Sequence, residues 1–197
     1  MPQIDALRRF LLPALLVLLL AAWLGGGVTQ DDTSIDEWLQ LLALPLLAVA
    51  AVVLLAEFPD DRYRRSGIAV ALLIAAVPLV QLLPMVAAGW NLPPDRAAMA
   101  TDLRQAGVTT FPMRWTLAPH ATETALWSLM PALAAFFAAM ALDVGHRRRL
   151  VQAIVLLVLL NVAFAFFQAG LPQGSQLRLY EQLDAGFGGL LVNTNHQ

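Results

Sequence analysis

Five long stretches of this chain have no charged side chain in their interiors, and this pattern constrains the fold more than any other feature. They comprise residues 10–28, 38–56, 68–89, 124–144 and 150–170, with Asp143 at the edge of the fourth. A helix of about 20 apolar residues crosses the roughly 30 Å hydrocarbon core of a bilayer. Because a single segment in lipid must satisfy its own backbone hydrogen bonds, each stretch is predicted to be helical. The sequence therefore predicts an all-α, polytopic membrane helix bundle with five transmembrane helices.

Composition agrees with a membrane protein. Hydrophobic residues make up 59% of the chain and charged residues 13%, whereas soluble domains contain about 45–50% and about 25%. The chain has no cysteine, which excludes disulfides, thiolate catalysis and cysteine-based metal sites. Residues 1–197 are predicted to form a single membrane domain. The first stretch is predicted to be a retained signal-anchor, since "AAWLGGGVTQ" lacks a convincing signal-peptidase site.

Five prolines fall within the predicted spans: Pro13, Pro45, Pro78, Pro84 and Pro131. Membrane helices tolerate proline because neighbouring groups satisfy the freed backbone atoms. All five are therefore predicted to lie within helices.

Arginine placement predicts the orientation. Successive spans cross in opposite directions, so their ends fall alternately on the two sides of the membrane. One side carries eight arginines: Arg8, Arg9, Arg62, Arg64, Arg65, Arg147, Arg148 and Arg149. The opposite side carries Arg96, Arg104, Arg114 and Arg178. Basic residues accumulate on the cytoplasmic side, so the N-terminus is predicted to be cytoplasmic. All five tryptophans lie near the predicted outer ends or in the outer loop, which favours the same orientation.

The inner connections are short and basic, and are interpreted as topology determinants beside anionic lipid. In the second one, Asp143 and Arg147 are four residues apart, a spacing that permits an ion pair. His146 is interpreted as part of this basic cap and not as a ligand.

The outer connection before the fourth span is much longer. "LPPDRAAMATDLRQAG" predicts a short helix with proline at its start and Gly107 as its stop, lying on the outer leaflet. Thr116 is a candidate N-cap for the next helix, with Pro119 in its first turn. His120 is interpreted as an exposed first-turn histidine in preference to a catalytic one.

The end of the chain and its missing motifs complete the prediction. "SQLRLYEQLDAG" suggests a surface helix or an irregular segment, and a sixth span is predicted to begin near Gly188. Nucleotide-binding, zinc-protease and nucleophile-elbow motifs are absent, and no basic-aromatic surface indicates nucleic acid. No cofactor or metal is expected. Intramembrane carboxylates, which mark proton pathways, are also missing. The polar span residues Gln81, Asn161 and Gln168 are interpreted as interhelical hydrogen-bonders. Gln81 and Gln168 fall toward the outer halves of their spans, so an outward-facing cavity is the alternative.

"GLLVNTNHQ" resembles the opening of a middle membrane helix in the O-antigen ligase and polymerase family, whose pattern is roughly G-T-F-V-N-R-N-H-F-A. The matching positions are Gly189, Val192, Asn193, Asn195 and His196; Leu190, Leu191, Thr194 and Gln197 depart from it. "VPLVQLLPM", "LPPDR" and "LAPHATETALW" are similar to further segments of the family, in the same order. The resemblance covers residues 77–197.

The resemblance implies a multi-pass enzyme of the bacterial inner membrane. It would transfer a glycan from undecaprenyl pyrophosphate to an acceptor such as lipid A–core at the periplasmic face, without metal or nucleotide sugar. Asn193, Asn195 and His196 would then line the substrate cavity, although a polar helix start is an equal alternative. Arg114 and Arg178 are possible contacts for lipid phosphate that no motif supports.

The main catalytic loop of the family would follow Gln197, so the chain is expected to be an N-terminal fragment and its own activity is left open. O-antigen polymerase, protein-glycan transferase and a non-catalytic, permease-like or scaffold component are the alternatives.

Overall fold

The computed structural model describes residues 2–25, 34–57, 61–108, 110–172 and 175. Its helices are α1 (Pro2–Gly25), α2 (Ser34–Ala56), α3 (Arg62–Leu82), α4 (Ala87–Trp90), α5 (Pro94–Gln105), α6 (Pro119–Ala141) and α7 (Val144–Ala169). Apart from one isolated antiparallel bridge between Pro84 and Arg114, the regular structure in these ranges is helical. Five helices, α1, α2, α3, α6 and α7, are long and apolar enough to cross a membrane. This confirms the all-α prediction, whereas the number of spans and the orientation stay predictions.

The chain divides into two compact units, one of Met1–Pro59 with Met130–Gln197 and the other of Asp60–Leu129. The first contains α1, α2, α7 and the second half of α6; the second contains α3, α4, α5 and the start of α6.

In the first unit, α1 and α2 pack against each other in antiparallel directions. Arg8, near the start of α1, forms an ion pair with Glu57, which directly follows α2. At the opposite ends Gly25 lies against Ile35, so closely that an added Cβ would stand 2.6 Å from Ile35 Cγ2. Between these ends the small side chains of Ala43 and Ala50 are fully buried, which lets two backbones approach closely.

Helix α3 ends earlier than the sequence predicts, at Leu82 and not at residue 89. Leu83 has extended backbone angles (φ −62°, ψ 139°) because it precedes Pro84, whose ring disfavours the helical conformation of the residue before it. The prediction that Pro84 lies within a helix is therefore wrong. The other four prolines, Pro13, Pro45, Pro78 and Pro131, do lie inside helices as predicted.

The other apolar helices also begin before their predicted spans. Helix α6 begins at Pro119, ahead of residue 124, and α7 begins at Val144, ahead of residue 150. Polar residues at these starts hid the helix from a search for uncharged stretches. Residues 26–28, the predicted end of the first span, lie outside the described ranges.

The turn between α6 and α7 corrects the predicted Asp143–Arg147 pair. Asp143 is the N-cap of α7: its carboxylate accepts a hydrogen bond from the His146 backbone N–H at 2.9 Å and contacts His146 Nδ1 at 2.6 Å. The bond from the His146 backbone, followed by its ring, holds the pKa of Asp143 below its ordinary value. Arg147 instead donates to the carbonyls of Ala139 (3.1 Å) and Met140 (2.9 Å). Both charges therefore cap helix ends and do not pair with each other.

Candidate functional site

Residues 83–118, here called the α3–α6 connection, fold into a defined structure within the second unit. Its two ends are tied together by backbone hydrogen bonds, from Met85 N to Met113 O (2.7 Å) and from Thr116 N to Gln81 O (2.9 Å). A helix end leaves carbonyls without partners, and here the chain returning from α5 supplies a donor for one of them. The connection therefore begins and ends at the same point of α3.

Trp90 is the centre of the connection. Its side chain is only 2% exposed, and its Nε1 donates to the carbonyl oxygen of Arg114 at 3.0 Å. The indole ring also packs on Phe111, with ring centroids 5.3 Å apart and planes tilted by 57°. Buried indole N–H groups normally find an acceptor, so this single residue supplies both apolar burial and a specific bond.

Arg96, in the first half of α5, contacts both the Trp90 ring and the backbone of the returning chain. Its Nη2 donates to the carbonyl of Trp115 at 2.7 Å, and its Nη1 lies 3.4 Å from the carbonyl of Arg114. Its guanidinium carbon lies 5.7 Å from the centroid of the Trp90 ring, within the range of a cation–π contact. Arg96 therefore ties α5 to the returning chain, and its charge is directed inward.

Helix α5 confirms the short helix predicted from "LPPDRAAMATDLRQAG". Pro94 occupies its first position, and Gly107 follows its end with φ +83°, a conformation that glycine adopts without strain. Bonds from Gly107 N to Arg104 O (3.0 Å) and from Val108 N to Leu103 O (2.9 Å) form a Schellman motif. Its placement on the outer leaflet stays a prediction.

The entry into α6 differs in detail from the prediction. The carbonyl of Ala118 accepts the first intrahelical bond, from Thr122 N at 3.0 Å, so Ala118 is the N-cap and Pro119 the first helical residue. Thr116 is therefore not the N-cap; its Oγ1 accepts from Ala118 N at 3.1 Å and lies 2.8 Å from Thr122 Oγ1. Proline has no N–H and is favoured at the first position of a helix. Pro119 therefore sets the start of α6 and makes Ala118, not Thr116, the N-cap. His120 is exposed, as expected.

Arg114 presents a partly exposed charge near the end of this connection. Its backbone carbonyl receives the bonds from Trp90 and Arg96, whereas its side chain extends elsewhere, with Nη1 donating to Glu123 Oε1 at 3.0 Å. The two side chains are 32% and 48% exposed. Since a guanidinium has five N–H donors, this ion pair leaves most of them able to bind an anion.

The residues predicted to line the substrate cavity, Asn193, Asn195 and His196, lie outside the described residues, as does Arg178. In the described part of the chain, no group of three histidine or acidic side chains is arranged to hold a metal ion.

The first unit contains a cavity of about 280 Å³ between α1 and α2, lined by apolar residues that include Phe10, Leu18 and Pro45. A second, of about 300 Å³, lies between α1 and α7 beside Trp23 and Asn161.

Sequence reasoning missed Trp90 and Arg96 as the residues that organise the connection. The sequence predicts Trp90 only as one of several interfacial tryptophans, and Arg96 only as one of the outer arginines. Their partners are carbonyl groups 18 to 24 positions away along the chain, and a carbonyl has no signature in the sequence. The dense succession of Trp, Pro, Asp and Arg in "WNLPPDR" was the one available signal.

Comparison of the chain with known protein families, with curated proteins and with solved structures found no match in any of the three.

Proposed function

We propose that this chain is part of a multi-pass enzyme of the O-antigen ligase type, which transfers a glycan from undecaprenyl pyrophosphate to an acceptor such as lipid A–core. One structural observation carries the proposal: the α3–α6 connection is a fixed scaffold that presents the Arg114 guanidinium at the end of an apolar helix. A lipid-linked pyrophosphate places its charge at that level, where the apolar lipid ends and water begins. The resemblance of "GLLVNTNHQ" supplies the reaction type.

The roles of the two arginines differ in this proposal. Arg96 is a positioning residue, because its donors are engaged by the carbonyls of Arg114 and Trp115. Arg114 is the residue that meets phosphate, since its partly exposed guanidinium matches the spacing of two phosphate oxygens. Glu123 holds Arg114 in place until the anion competes for it. Asn193, Asn195 and His196 line the substrate cavity in the same proposal.

The proposed location is the bacterial inner membrane, with the N-terminus in the cytoplasm and the α3–α6 connection in the periplasm. Reporter fusions after Arg65 and after Gly107 test this orientation. The fusion after Gly107 is expected to give a periplasmic signal and the fusion after Arg65 a cytoplasmic one. A periplasmic signal after Arg65 contradicts the orientation.

The function itself is tested in cells. Deleting the whole gene is expected to abolish attachment of O-chains to lipid A–core and to cause accumulation of the lipid-linked glycan, both visible in extracted lipopolysaccharide and lipid fractions. Unchanged O-chain attachment together with unchanged chain length would refute both lipopolysaccharide functions. Attached chains of altered length would indicate the polymerase instead.

Complementation of the deletion then tests Arg114. Arg114→Gln removes a charge-assisted contact to phosphate and is expected to lower transfer about 10- to 100-fold. Arg104→Gln is the matched control, because Arg104 is an exposed arginine of α5 in the same connection. Equal activity of the two variants rules out the proposed role of Arg114 without ruling out the reaction.

A further inference from the structure

The described arginines of the first unit lie near the starts of α1 and α7. Helices α1 and α7 contact each other and line a common cavity. If each of the five apolar helices crosses the membrane, four crossings separate the start of α1 from the start of α7. Both starts then lie on the same side, which brings Arg8 and Arg9 of α1 to the same membrane surface as Arg147, Arg148 and Arg149 of α7.

The arginines near the starts of α1 and α7 differ in their polar contacts. Arg8 is paired with Glu57, Arg147 donates to two carbonyls of α6, and the ring of His146 contacts Asp143. Glu57 and Asp143 are therefore already engaged, whereas Asp5 lies one turn before Arg9 in α1. Three arginines, Arg9, Arg148 and Arg149, are exposed and contact no acidic side chain of the described residues.

We propose that Arg9, Arg148 and Arg149 form a binding site for the headgroup of an anionic phospholipid. The positive charge of these three side chains favours an anionic partner. If α1 and α7 cross the membrane, their starts lie at the depth of lipid phosphates. Basic residues that flank neighbouring membrane helices bind such headgroups. Arginine suits this role because its planar guanidinium binds phosphate through two parallel hydrogen bonds. This site goes beyond the glycan transfer proposed above and is independent of it.

Lipid retention by the full chain tests the proposal. The protein is reconstituted in an equimolar mixture of phosphatidylcholine and phosphatidylglycerol, extracted in mild detergent, and its bound lipids are counted by native mass spectrometry. The wild type is expected to retain phosphatidylglycerol in preference to phosphatidylcholine. The double variant Arg148→Gln/Arg149→Gln is expected to lower the affinity for phosphatidylglycerol about 20- to 30-fold, since each basic residue near an anionic surface contributes about 1 kcal/mol.

Two further variants keep the result interpretable. Arg148→Lys/Arg149→Lys retains the charge and is expected to retain most of the preference, whereas Arg104→Gln in α5 is expected to change nothing. Lipid binding is measured on detergent-extracted protein, in which both faces are accessible. An altered orientation in the membrane therefore cannot be mistaken for a loss of binding. Equal retention of the two lipids by the wild type, or undiminished phosphatidylglycerol binding by the Gln/Gln variant, overturns the proposal.

Discussion

Helix α6 is joined to its neighbours in the chain by two connections that are stabilised in different ways. The link to α7 consists of Leu142 and Asp143, and its polar contacts join residues three to eight positions apart. The α3–α6 connection spans residues 83–118, and its central bonds join residues up to 24 positions apart. The short link is a pair of helix caps, whereas the long connection is a small folded unit.

This difference has a consequence for stability. Each cap of the short link acts on one helix terminus, so losing one leaves the other in place. In the long connection Trp90 and Arg96 both bond to the same carbonyl, that of Arg114, so losing either weakens the support for the other. We therefore expect substitutions in the long connection to act cooperatively and substitutions in the short link to act locally.

The largest effect is expected for Trp90→Ala. Replacing this buried ring should destabilise the connection by about 3–5 kcal/mol, because both the packing on Phe111 and the bond to Arg114 are lost. Hydrogen–deuterium exchange should show that residues 84–116 lose protection while α1 and α2 keep theirs. Trp115→Ala, at a ring that is 53% exposed, is the control. Unchanged protection in Trp90→Ala would show that the connection is not organised around this ring.

The next effect is expected for Arg96→Gln, which removes charged donors from the carbonyls of Arg114 and Trp115. The loss should be about 1.5–3 kcal/mol in the same exchange measurement. Arg96→Lys should recover only part of it, because an ammonium group does not reproduce the planar fork. If Arg96→Gln is as stable as Arg104→Gln, the bonds from Arg96 to the two carbonyls contribute nothing to stability.

A smaller effect is expected in the short link for Arg147→Gln. The variant loses a cation and two donors at the C-terminal end of α6, which should cost about 1–2 kcal/mol. Thermal unfolding in detergent, with exposed Arg104→Gln as the control, measures it. Exchange in residues 84–116 should not change, and a change there would contradict the independence of the two connections.

The smallest effect is expected for Asp143. Asp143→Ala should cost about 1 kcal/mol as a lost N-cap, and Asp143→Asn less, since asparagine also caps helices. Because folding lowers the pKa of Asp143, the charge contributes fully above the ordinary value of 3.8 and its contribution is lost as the pH falls below it. The unfolding temperature of the wild type should therefore approach that of Asp143→Asn on acidification below 3.8. A constant difference between the two proteins down to low pH would contradict this role.

Local signals in the sequence predicted the helices well. Uncharged apolar stretches located the five long helices of the described residues, and Pro94 and Gly107 marked the bounds of α5. Membrane helices and caps depend on residues close together in sequence. The interior prolines were harder to interpret. Pro78 continues α3 while Pro84 ends it, since the chain after Pro84 pairs with the returning segment.

The candidate site was less predictable. The spacing of Asp143 and Arg147 permits an ion pair, but the helix termini beside them offered better partners than they offered each other. The contacts of Trp90 and Arg96 depend on where the backbone of Arg114 returns, which is a property of the folded connection. Asn193, Asn195 and His196 stay a prediction, because they lie outside the described residues.

The main chain and the side chain of residue 114 make separate contacts, and this has an evolutionary consequence. Its carbonyl accepts the bonds that hold the connection together, and every amino acid has that carbonyl. Its side chain extends away from those bonds toward Glu123. Substitutions at this position can therefore change the charge that the protein presents while the surrounding fold is retained. Such a change needs no compensating mutation in the bonds that hold the connection together.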